Sequence, residues 1–220
     1  MIQSHHLSIH AKKTPANVAC VVGATGESIS YAELEASTNQ LAHLFRSRGL
    51  RTGDGIVIWV ENCIRFYQLV WAAHRAGLYY TPISWHSTAE EASYIIKDSG
   101  ARMLIASARF ADTAVSAVEL TSDNVDSLSL FAPIAGFSSL DELIAEQPGE
   151  PISDQTSGRE LLYTSGTTGN PKGVRFPLNG KPIEYTPIDD LGLLAEGYGD
   201  NAVVMAPGPL YHASPLMSSR

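Results

Sequence analysis

Between Ser30 and Val118 short apolar runs alternate with longer amphipathic stretches, and that alternation constrains the fold more than any other feature. Ser30 is an N-cap candidate, with Glu33 three residues on completing a capping box. The helix it opens runs from Tyr31 to about Arg48. Leu34, Leu41, Leu44 and Phe45 form its apolar face, and Gly49 stops it. Gly53-Asp54-Gly55 turns the chain into a buried strand, Ile56–Val60. A helix from Asn62 to Ala76 follows, ended by Gly77, and then a strand over Tyr79–Ile83. Thr88 to Lys97 reads as a helix, capped at Ser87 or Thr88, with Glu90 and Glu91 as charges favourable to its first turn. Arg102–Ser107 is the next strand and Arg109–Val118 the next helix. Strands and helices in turn imply βαβ units, and so an α/β fold with a mostly parallel sheet and flanking helices.

The flanks are less regular. Val18–Val22 and Ser28–Ser30 suggest a hairpin about a turn at Gly26. Asp123–Ser127 reads as an exposed turn, Leu128–Pro133 as a strand, and Ser139–Glu146 as a short helix. Gln147–Gly158, rich in Pro, Gly, Ser and acid, reads as a linker. Pro177–Pro187 holds three prolines and reads as a loop. Ile188–Tyr198 is expected as a helix and Ala202–Ala206 as a strand, before Pro207–Pro209 breaks the pattern. These signals divide the chain into an α/β unit over 1–150 and the start of a second over 151–220.

Tyr163–Val174, reading Y-T-S-G-T-T-G-N-P-K-G-V, carries the clearest chemistry. Thr164, Ser165, Thr167 and Thr168 bring hydroxyls, Gly166, Gly169 and Gly173 bring conformational freedom, and Lys172 brings a charge. Glycines let backbone N–H groups approach closely and form an anion-binding concavity. Hydroxyls add donors and a lysine neutralises outer phosphates. A Walker loop needs G-x-x-x-x-G-K-[ST] opening a helix. Here Lys172 stands between Pro171 and Gly173, and Gly173–Phe176 reads as a strand. On composition alone, a plain Ser/Thr/Gly connection between strands stays open beside a different kind of phosphate loop.

Charge and composition exclude other classes. With 15 Lys and Arg against 23 Asp and Glu, the net charge of −8 offers no basic field for nucleic acid or anionic membrane. No run approaches the roughly 20 apolar residues that span a bilayer, and the N-terminus shows no signal-peptide pattern. Cys20 and Cys63 follow no metal-ligand spacing and read as reduced thiols of a cytoplasmic protein. His5, His6 and His10 are expected to be solvated, and no second cluster completes a metal site.

The stretch around Lys172 resembles the signature loop of the adenylate-forming enzymes, the superfamily of acyl-CoA synthetases, peptide-synthetase adenylation domains and luciferases. Ile29–Leu34 is similar to that family's first motif. Arg75–Pro82 is similar to its second, with Trp85-His86 following as in fatty-acyl-CoA synthetases. Pro209-Leu210-Tyr211-His212 is similar to its fourth. The resemblance implies the large N-terminal domain of the acetyl-CoA-synthetase fold, incomplete at its C-terminus. It implies ATP-dependent conversion of a carboxylic acid, most like a fatty acid, to an acyl-adenylate, followed by transfer to coenzyme A. Thr164, Ser165, Gly166, Thr167, Thr168, Gly169 and Lys172 would hold phosphates, and Thr164 would contact Mg2+. Lys172 and His212 would be the catalytic residues, His212 beside the reacting carboxylate. Leu78–Pro82 reads as core, and Trp85 and His86 as structural.

Relatives in that family continue beyond the point where Arg220 stands, so the chain is expected to be inactive alone and to self-associate through uncovered apolar surface. An aryl- or amino-acid-activating adenylation domain and a non-catalytic interaction fragment are the alternatives.

Overall fold

The computed structural model describes residues 6–122, 124–164, 170–183 and 203–219. The expected helix Ile188–Tyr198, the end of the Pro-rich loop at 184–187, His5, Asp123, Ala202 and the run Ser165, Gly166, Thr167, Thr168, Gly169 lie outside them.

The alternation read from the sequence is the architecture. In chain order the elements are α1 (Leu7–Lys13), β1 (Val18–Val21), β2 (Ser28–Ser30), α2 (Tyr31–Ser47), β3 (Gly55–Trp59), α3 (Ile64–Arg75), β4 (Tyr79–Pro82), α4 (Ala89–Ser99) and β5 (Ala101–Ser107). After a 3-10 turn at Ala108–Phe110 come α5 (Ala111–Thr121), β6 (Asp126–Leu130), β7 (Ser138–Ser139), α6 (Leu140–Ala145), β8 (Arg159–Thr164), β9 (Lys172–Arg175) and α7 (Ala213–Ser219). Local chemistry sets the helix starts. Ser30 with Glu33 and Thr88 with Glu91 both form reciprocal capping boxes.

Seven strands form one sheet in the order β7-β6-β5-β3-β4-β8-β9. Every pairing in it is parallel except β8 with β9. The pleat sends alternate residues of β3 to opposite faces. Ile56 and Ile58 join the core under α2, α3 and α6, while Val57 and Trp59 join the core under α4 and α5. β1 and β2 pair separately as the expected hairpin.

Three expectations change. Residues 203–206 form no strand: Val203 is 98% exposed and Met205 82%, and among the described residues no strand lies beside them. β6 begins at Asp126, inside the run expected as a turn, because Asp126 pairs in register with Met103 and is held by Arg48 at 2.9 Å. It ends at Leu130, where Phe131 takes a left-handed φ of 72°. Gln147–Gly158 is no free linker. α2 straps it down: Asn39 donates to the Gly149 carbonyl, Gln40 to that of Gln147, and Arg46 pairs with Asp154.

His6 also departs from expectation, being 5% exposed and packed edge-on to Trp71 at 5.2 Å. It caps α1 through Nδ1, which accepts the Ser8 N–H at 3.1 Å. An accepting nitrogen carries no proton, so protonation destroys the cap. Burial first, then the Arg75 charge, then His10, lower the His6 pKa to about 3. The unfolded chain takes up this proton near pH 6.5, the folded chain only near the lowered value. Stability is therefore full above the unfolded pKa and falls as pH drops through that window. Amide exchange over Leu7–Lys13 is expected to accelerate steeply below about pH 6, by roughly 2–4 kcal/mol of opening free energy. His6→Asn keeps a capping acceptor without a titrating group and should flatten that dependence.

Candidate functional site

The site follows from where the crossovers leave the sheet. From β3 the chain runs through α3 on one face to β4, and from β4 it runs through α4 on the other face, past β3, to β5. Connections that leave neighbouring strands toward opposite faces open a crevice at their carboxyl ends, where ligands bind in open α/β sheets. β8 lies beside β4 and parallel to it, so its carboxyl end, Thr164, points to the same edge.

β8 and β9 form a hairpin in which Thr164 and Lys172 are register partners. Thr164 Oγ1 donates to the Lys172 carbonyl at 3.4 Å, and both residues are exposed. The hydroxyl and glycine run between them lies outside the described residues. Among the described residues the Lys172 ammonium has no partner.

The hairpin is fixed by its neighbours. The Tyr163 ring covers Gly173 across the ladder, where a Cβ would sit 2.9 Å from its Cζ. Tyr163 donates to Asp98 at 2.6 Å, and burial together with that carboxylate pushes its phenol well above the usual range. Arg175 lies over the Tyr79 ring at 4.4 Å and donates to the Ser99 carbonyl at 3.0 Å. Tyr79 in turn donates to the Phe176 carbonyl at 2.8 Å. An exposed edge hairpin is thus held by side chains as much as by its ladder.

His212 comes to the same edge on a different segment. Its N–H donates to the Pro209 carbonyl at 3.1 Å, and its ring lies 4.4 Å from that of Tyr211. Tyr211 packs edge-on against Trp85 at 5.3 Å, and Trp85 Nε1 donates to His86 Nε2 at 2.8 Å. Trp85 and His86 follow the carboxyl end of β4. Asn62, following that of β3, bonds to the backbone of both Gly208 and Leu210. The structure therefore joins Thr164 with Lys172, and His212 with Tyr211, Trp85 and His86. Lys172 and His212 make no hydrogen bond to each other.

Reading motifs alone leaves Trp85 and His86 as structural and passes over Asn62 and Tyr211. The available signal is position: each of Asn62, Trp85 and His86 lies within a few residues of a parallel strand's carboxyl end.

The donor set suits a polyphosphate, with an ammonium and a hydroxyl at the open end of a hairpin. For a magnesium ion the described residues offer one oxygen here, Thr164 Oγ1, and no group of three or more His, Cys, Asp or Glu stands together among the described residues. Such an ion would take its other ligands from phosphate and water. Among the described residues no helix is long and apolar enough to cross a membrane.

Known proteins share this fold. A fatty acid–acyl-carrier-protein ligase from Streptomyces coeruleorubidus is 29% identical over 167 residues, covering 76% of this chain and 31% of the relative. A long-chain-fatty-acid–CoA ligase from Mycobacterium tuberculosis is 29% identical over 167 residues, covering 74% and 32%. The inhibitor-bound N-terminal domain of FACL13 from the same organism superposes with a TM-score of 0.75 at 24% identity, covering 99% of this chain and 54% of that one. The chain thus spans about a third of the length of the curated relatives it matches. The AMP-binding enzyme family matches residues 7–218, nearly the whole chain, and the chain belongs to that family.

Proposed function

We propose that this chain supplies the phosphate-binding half of a site that activates a fatty carboxylic acid with ATP and passes it to coenzyme A. A carboxylate oxygen bonds to the α-phosphorus and the bond to the β-phosphate bridging oxygen breaks, releasing pyrophosphate. The coenzyme A sulfur then bonds to the acyl carbon as its thiol proton passes to solvent, and the acyl carbon–oxygen bond to phosphate breaks to release AMP. Charge accumulates on phosphate oxygens throughout, so fixed donors and positioning carry most of the acceleration. Thr164, Ser165, Gly166, Thr167, Thr168 and Gly169 would donate to the outer phosphates, with Lys172 neutralising them. Magnesium would add a second positive charge beside Thr164. His212 would border the carboxylate. Residues 151–220 would begin the unit that carries this loop.

One observation carries the reading: the Thr164–Lys172 register pair closes a hydroxyl and glycine connection at the carboxyl edge of a parallel sheet. The names of the fatty-acid-activating relatives support the choice of acid.

The test is pyrophosphate exchange into ATP with a medium- or long-chain fatty acid, on this chain and on the whole reading frame that contains it. Exchange is expected only in the longer protein, and Lys172→Ala should lower it roughly 100-fold. Exchange with an aromatic acid instead would move the substrate to the aryl class. ATP binding by neither protein would overturn the reading in favour of a non-catalytic module.

A further inference from the structure

The turn that carries His212 is held to the sheet by one exposed side chain. Asn62 Nδ2 donates to the Gly208 carbonyl at 3.0 Å, and Asn62 Oδ1 accepts the Leu210 N–H at 2.9 Å. A primary amide is the group that can do both at once, offering donor and acceptor side by side as a neighbouring strand would. Residues 208 and 210 flank Pro209, and the Pro209 carbonyl accepts the His212 N–H. At the same carboxyl edge of the sheet Tyr211 packs against Trp85.

The rest of the segment is anchored without Asn62. Leu210 and Leu216 are buried in the core beneath α3, and Tyr67 donates to Ser219 Oγ at 2.8 Å. Removing the amide would leave the segment attached. It would free the orientation of the turn, and with it the direction in which His212 and Tyr211 present their rings.

The geometry points to Asn62 as a positioning residue: its two backbone bonds set the 208–212 turn so that His212 faces the crevice between β3 and β4. What the turn is for rests on the acid-activating reading above. That the turn is set by Asn62 does not.

Two variants separate the parts. Asn62→Ala removes both bonds. Asn62→Asp keeps an acceptor for the Leu210 N–H but turns a carboxylate toward the Gly208 carbonyl. In NMR spectra of this chain, the Tyr211 ring protons should lose the ring-current shift imposed by Trp85 in both variants, while methyl signals from Ile56 and Leu69 stay in place. In the whole-reading-frame protein, kcat for exchange should fall roughly 10- to 100-fold, as a displaced reacting group requires. KM for ATP should stay within about twofold, because the phosphate hairpin is untouched. Unmoved Tyr211 shifts in Asn62→Ala would overturn the assignment, and so would core signals that move together with Tyr211. A rise in KM for ATP that accounts for the whole loss would also overturn it. If the unsubstituted protein shows no exchange with any acid, the functional reading fails while the Tyr211 shifts still decide the positioning.

Discussion

Gly158→Ala is expected to destabilise the fold by about 3–5 kcal/mol, a large fraction of a typical domain's stability. The glycine precedes β8 at the point where that strand enters the sheet. Its N–H donates to the His74 carbonyl at 2.6 Å, and the next N–H, that of Arg159, donates to the Leu78 carbonyl at 2.9 Å. A Cβ at Gly158 would stand 2.4 Å from the Leu78 oxygen and 2.6 Å from the Ala73 oxygen. Those are backbone atoms at the end of α3 and the start of β4, so no side chain can swing aside. Either β8 retreats and both hydrogen bonds break, or α3 shifts against its core. Urea unfolding should show a lower midpoint with an unchanged slope. Gly149→Ala is the control. A Cβ there meets nothing within 4 Å, and the change should stay within about 0.5 kcal/mol. A Gly158→Ala midpoint equal to that of the control would mean β8 is not fixed where the sheet places it. Because β8 ends at Thr164, under the function proposed above the same variant should also weaken ATP binding in proportion to the misdocked population.

That strand entry also marks where sequence reading stops being sufficient. The capping boxes at Ser30 and Thr88 were legible because all their atoms lie within one helical turn. The hydrophobic period placed α2 to α5 and β3 to β5 for the same reason: short-range patterns carry their own explanation. The parallel partner of β8 is β4, far back in the chain, and no local pattern at Arg159–Thr164 specifies it. His6 reads as a solvated terminal residue until Trp71 and His74 close over it. Residues 203–206 have the apolar content of a strand, but a strand needs a neighbour to bond to. At the site, the hydroxyl, glycine and lysine pattern is legible in the sequence as a candidate phosphate loop, and the structure adds the pairing of Thr164 with Lys172 across its base. The roles of Asn62 and Tyr211 are not legible there, because each depends on two distant loops meeting at one edge of the sheet.

The second large effect concerns Arg75, whose place in a familiar motif gives no hint that its charge is buried. Its side chain is 0% exposed, against 18% for that of Glu35. It donates to both Glu35 oxygens, at 3.1 and 2.5 Å, and to Asn39 Oδ1 as well. The pair ties the end of α3 to the first half of α2, while the Arg75 carbonyl accepts the Thr156 N–H on the approach to β8. Withdrawing a guanidinium from water is repaid only with its carboxylate in place. Glu35→Ala is therefore expected to cost about 3–5 kcal/mol, because it leaves the cation buried. Arg75→Met should cost less, since Glu35 lies nearer the surface and water can reach it. The double variant Glu35→Leu, Arg75→Met should recover to within about 1 kcal/mol of the starting protein. His6 supplies an independent readout. Arg75 is among the causes of its depressed pKa, so Arg75→Met should bring that pKa nearer its unfolded value and shrink the acid loosening of α1, with the onset unchanged and the loss complete at a higher pH. Equal losses for the two single variants, with no recovery in the double, would show that packing rather than charge governs this position. An unmoved pH profile in Arg75→Met would show that burial alone keeps His6 neutral.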